Sequence, residues 1–132
     1  MTIPIQICKY CQKDAIYVPL TSKALTAKGA GVSSNSRTLI IHFCEDCLAE
    51  YVYWSKDGEL ASLHLYTTIN DKMYRWTTYP TRAVAFLSYV EDPGIPGLRP
   101  NQKVQTLQKF TDFPDITPSN INEKVRAWLP FL

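Results

Sequence analysis

The four cysteines of this chain stand as two matched pairs, Cys8-Lys9-Tyr10-Cys11 and Cys44-Glu45-Asp46-Cys47. Two residues between the members of a pair let both thiolates turn toward one ion, and soft sulfur ligands in a closed tetrahedron suit zinc. The spacing therefore predicts one structural Zn2+ held by Cys8, Cys11, Cys44 and Cys47. Four thiolates fill the coordination sphere, which disfavours hydrolytic metal catalysis because no position remains for a water or a substrate. Structural disulfides or a redox pair are the competing chemistries for the same residues. The segment Met1-Thr2-Ile3-Pro4-Ile5-Gln6 has neither the basic start nor the apolar run of an export signal. The expected setting is then a reducing, intracellular compartment, or a particle assembled there, where paired cysteines bind metal.

Other chemistry-bearing residues are less organised. His42 lies two residues before Cys44 and competes as a ligand in principle, but four cysteines already complete the set, so packing beside the site is its expected role. His64 is the second histidine of the chain, and no nucleophile elbow or other spacing joins it to a serine, so a half-exposed strand residue is expected. No convergent acid, base and nucleophile emerges, and no catalytic residue is assigned. Lys23, Lys28 and Arg37 belong to an amino-terminal half that carries a single acid, Asp14, before Glu45, although the whole chain nets only +2. A loop of this kind can meet phosphates but lacks the Lys-Ser/Thr ending of a nucleotide-binding P-loop.

The elements that must position these residues follow from local pattern. Ala15–Leu20 and Arg37–Phe43 are β-prone runs around a long Ser/Gly/Lys loop from Thr21 to Ser36. After the second cysteine pair, Leu48, Tyr51, Val52 and Ser55 repeat at helical spacing, with Glu45 and Asp46 in the first turn and Gly58 as a stop. Leu60–Ile69 and Lys72–Tyr79 flank Asn70-Asp71, a pair suited to a two-residue hairpin turn. That turn sets Thr67 opposite Tyr74, Leu65 opposite Trp76 and Leu63 opposite Thr78, burying Leu63, Leu65, Ile69, Tyr74 and Trp76. The other face carries His64, Tyr66, Met73, Arg75 and Tyr79, an aromatic and cationic mixture on which single-stranded nucleic acid can stack. Ala83–Val90 is apolar on both faces, which predicts a central or well-covered strand. Glu91–Pro118 is proline-rich and reads as an extended arm, with Val104–Phe110 either a strand or a helical turn. Thr117 as cap and Pro118 at the first position predict a closing helix with Ile121, Val125, Trp128 and Leu129 on one stripe.

A knuckle, a hairpin and a helix donating the last two ligands is the order of a treble clef. Residues 7–55 resemble treble-clef zinc fingers through Cys8, Cys11, Cys44 and Cys47. A zinc ribbon, with both pairs in hairpin turns, is the near rival. The expected fold is α+β: a zinc-binding module over 1–58, an antiparallel β-sheet region over 59–90, and a Pro-rich arm with a C-terminal amphipathic helix over 91–132, packed as one domain. The resemblance covers about a third of the chain and implies no particular activity.

The functional expectation is a non-enzymatic, zinc-stabilised interaction or assembly protein, a small structural or accessory component of a larger protein complex. Its partner would be another protein or a second copy, docked through Ile121, Val125, Trp128, Leu129 and Phe131. The alternative is a nucleic-acid-binding accessory protein using Lys23, Lys28, Arg37, Tyr66 and Arg75. No run is long enough to span a membrane, and no small-molecule substrate is indicated.

Overall fold

The computed structural model describes residues 6–18, 39–54, 59–91 and 103–132. Among them are eight strands: β1 (Gln6–Ile7), β2 (Asp14–Val18), β3 (Leu39–Cys44), β4 (Ala49–Trp54), β5 (Leu60–Ile69), β6 (Lys72–Tyr79), β7 (Val84–Val90) and β8 (Val104–Phe110). Each pairs antiparallel with the next, so sheet order equals chain order. One α-helix, α1 (Ile121–Trp128), follows and runs into a 3-10 turn, Leu129–Phe131. No helix among the described residues is long and apolar enough to cross a membrane.

The β5–β6 hairpin forms in the expected register, with Leu63 opposite Thr78, Leu65 opposite Trp76 and Thr67 opposite Tyr74. Its turn residues, Asn70 and Asp71, both take positive φ, at 51° and 64°, as a two-residue turn matched to strand twist requires. Leu63, Leu65, Ile69, Tyr74 and Trp76 are buried on the expected face, with Leu87 of β7 beside them. Strand β7 pairs with β6 and β8, and Val84, Ala85, Leu87 and Val90 are buried along it, as a well-covered strand requires. Val104–Phe110 is a strand, not a helical turn, and the part of the arm before it, residues 92–102, lies outside the described residues.

The helix closes the main core. Ile121 and Val125 are buried in the same cluster as Leu65, Trp76 and Leu87. Asn122 Nδ2 donates to Thr67 Oγ1 at 2.9 Å and to the Thr68 carbonyl at 3.0 Å, fixing the helix across β5. At its far end the Trp128 ring lies 5.6 Å from Trp76 and 4.9 Å from Phe110, tying helix, β6 and β8 together. The helix begins at Ile121, three residues after Pro118, because Thr117–Asn120 is used as a separate turn in which the Thr117 carbonyl accepts from Asn120 N–H and Ile121 N–H.

The helix expected after the second cysteine pair is replaced by β4. Leu48 has a positive φ of 54°, which no right-handed helix admits, and it turns the chain back along β3. The segment Tyr51-Val52-Tyr53-Trp54 is aromatic and β-branched, and its side chains pack well on a pleated sheet surface. Ser55 and Gly58 lie outside the described residues.

Candidate metal centre

Two turns of the same design bring the cysteines together. The first joins β1 to β2 and the second joins β3 to β4. In each, the residue just after the second cysteine is left-handed: Gln12 at φ 66° and Leu48 at φ 54°. This bend curls both sulfurs of a pair to one side. In the first turn Gln12 N–H donates to the Cys8 carbonyl at 2.9 Å, and Cys8 N–H donates to the Lys13 carbonyl at 2.8 Å.

The four sulfurs all lie within 4.8 Å of one another, and Cys11 Sγ is 3.6 Å from Cys44 Sγ. A tetrahedron with zinc–sulfur bonds of about 2.3 Å has edges of roughly 3.8 Å, so this cluster fits such an ion. Cys8 and Cys44 are buried, whereas Cys11 and Cys47 are partly exposed at the outer side. His42 is not in the cluster; it is buried against the Tyr53 ring at 5.9 Å, and burial lowers its basicity.

The electrostatics favour a thiolate at Cys8. Burial pushes this thiol up, but the Tyr51 hydroxyl and the amides of Cys11 and Tyr10 outweigh it and bring the thiol to about 7. Burial first, and then hydrogen bonds to neighbouring sulfurs and the charge of Cys8, raise Cys44 and Cys47. Burial first, and then the negative charge of Cys8, raises Tyr10 to about 12. Lys13 pairs with Asp46 at 2.7 Å across the two turns, an exposed contact that contributes little to stability.

Sequence reasoning did not find Tyr51. Its hydroxyl accepts from Lys9 N–H at 3.0 Å and donates to Cys8 Sγ at 3.3 Å. Placing it on a helix hid this role; the β-prone run around it was the available signal.

The second sheet face is not an open platform. Tyr66 stands opposite Arg75 as expected, but it is only 2 % exposed and its hydroxyl donates to Glu50 Oε1 at 3.0 Å. Buried to this degree, its ring offers no surface for a base to stack on. Arg75 is half-buried, and its Nε is enclosed without a hydrogen-bond partner. His64, expected to be half-exposed, is buried between Ser62 Oγ at 3.0 Å and Thr77 Oγ1 at 2.7 Å. Burial, followed by the Arg75 charge, holds it neutral well below the ordinary histidine range. Lys23, Lys28 and Arg37 lie outside the described residues.

Of the expected docking residues, Ile121 and Val125 belong to the chain's own core and are not free to dock. Trp128 and Leu129 are half-buried against it, while Phe131 is 87 % exposed. A cleft of about 370 Å3 opens against the first metal turn, with Lys9, Tyr10, Trp76, Phe113 and Ile116 in its walls.

No family model matches this chain, and neither a curated protein nor a solved structure matches it.

Proposed function

We propose that this chain is a non-enzymatic interaction or assembly protein whose fold is stapled by one zinc ion, a small structural or accessory component of a larger protein complex. The observation that carries this reading is the position of the cysteine cluster. Two hairpin turns, distant in sequence, bring their four sulfurs together there. A complete set of four sulfurs offers rigidity and not an open coordination position. Ligands supplied by two hairpin turns make the arrangement that of a zinc ribbon, in preference to the treble clef, whose defining helix is a strand here.

Contact surface remains after the helix is assigned to the core. Phe131 projects from the 3-10 turn beside Leu132, and Phe113 borders the cleft at the metal turn. Large apolar side chains exposed in this way are suited to docking.

Native mass spectrometry of the zinc-loaded chain, with and without single-stranded oligonucleotide, tests the reading. The expected result is protein association that ignores oligonucleotide and weakens at least tenfold in Phe131→Asp, with the fold unchanged. A monomer that instead takes up oligonucleotide with steep salt dependence would favour nucleic-acid binding.

A further inference from the structure

We propose that Tyr51 is the positioning residue of the metal centre, the group that fixes the first cysteine turn to the sheet and donates a hydrogen bond to the Cys8 sulfur. The inference rests on the reading of the cysteine cluster as a zinc site. It starts from hydrogen-bond bookkeeping at one oxygen. The Lys9 amide can only donate, so at 3.0 Å the Tyr51 oxygen accepts from it. The hydroxyl keeps a single proton, and Cys8 Sγ at 3.3 Å is its acceptor. The direction of the pair is therefore set, and it asks for a sulfur with electron density to share. A thiolate or metal-bound sulfur answers that need far better than a neutral thiol.

Placement strengthens the case. Tyr51 is 2 % exposed in the middle of β4, paired with His42 on one side and Leu63 on the other. Its backbone is held by two neighbouring strands, so its hydroxyl is a rigid reference point. Cys8, by contrast, sits in a turn after a two-residue strand, with little regular structure of its own. Cys8 is fully buried, at 0 % exposure, so a donor from solvent cannot replace the phenol. Outer-shell donors of this kind orient ligands and hold back excess charge on sulfur, and their loss typically weakens metal binding 10- to 100-fold.

The test is Tyr51→Phe in the full chain, which keeps the ring and removes the hydroxyl. Zinc affinity is measured by competition with a chromophoric chelator, and the sulfur-to-metal charge-transfer band is read with Co2+. Tenfold or greater loss of zinc affinity and a shifted band are expected, with Tyr53→Phe, on the same strand, at wild-type values. In the unmodified zinc-loaded protein, slow hydrogen exchange at the Lys9 amide is also expected. Affinity within twofold of wild type together with an unshifted Co2+ band would overturn the proposal, as would a freely exchanging Lys9 amide. Absence of metal binding by the unmodified chain would overturn the zinc reading itself, an outcome distinct from either.

Discussion

Glu50 shows how a single residue can set the pH range of this fold. Burial pushes its carboxyl from 4.5 up to about 7, against the Tyr66 hydroxyl and the Arg75 charge, which pull it down. The folded state thus holds a proton that the unfolded chain has already released. The stabilising contribution is fully present below the unfolded value and is lost as pH rises to about 7. The size of the loss is on the order of 3 kcal/mol, from about 1.4 kcal/mol per pKa unit. Glu50→Gln keeps an acceptor for Tyr66 and removes the titration. Urea unfolding of both proteins at pH 5.5 and pH 8 is expected to show the variant gaining on the wild type by about 2 kcal/mol, the part of the loss that falls within this interval. Equal pH slopes in the two proteins would show that Glu50 is ionised in the fold at little cost. The comparison is made as a difference so that pH effects common to both proteins, those of the cysteine cluster included, cancel.

At the scale of elements, the closing helix is part of the body of the protein. Ile121 and Val125 are buried, and Trp128 packs between Trp76 and Phe110. Burying such side chains contributes about 1.5–3 kcal/mol apiece, so the helix accounts for a large part of a typical domain's stability. Deleting residues 119–132 is therefore expected to abolish cooperative thermal unfolding, followed by circular dichroism. A truncated chain that still melts cooperatively would mean that the sheet is stable without its cover. The same comparison of elements shows what the amino-acid sequence made legible. Asn70-Asp71 and the alternation around it fixed the β5–β6 register residue by residue, because a two-residue turn leaves no slack. The stripe Ile121, Val125, Trp128 was readable because one face of that helix meets the core and the other meets water. Strand β4 was not readable in the same way. It is covered on both faces, so its alternation is blurred, and Leu48, Tyr51 and Val52 happen to match helical spacing. The second face of β5–β6 misled for a related reason. Tyr66 and His64 look like surface residues by type, and only the fold shows Glu50 as the partner of the first and Ser62 and Thr77 as those of the second.

At the scale of the molecule, the cysteine cluster joins two neighbouring turns, β1–β2 and β3–β4, at one side of an otherwise simple meander. Strands β5–β8 and the helix build a core of ordinary apolar residues, whereas β1 and β2 are short and the cysteine turn between them meets the β3–β4 turn. The four sulfurs form a cluster at which a bound ion would add folding free energy, and the matched C-x-x-C spacing made that cluster legible from residues 8, 11, 44 and 47 alone. The apolar surface left over, at Phe131 and around the cleft, is what remains for a protein partner.

The most direct measurement is the zinc content of the purified full chain and of Cys44→Ser, by native mass spectrometry. One zinc per wild-type chain and none retained by Cys44→Ser is the expected result. A wild-type chain without zinc, or a variant that keeps it stoichiometrically, would contradict the ligand set on which the account stands.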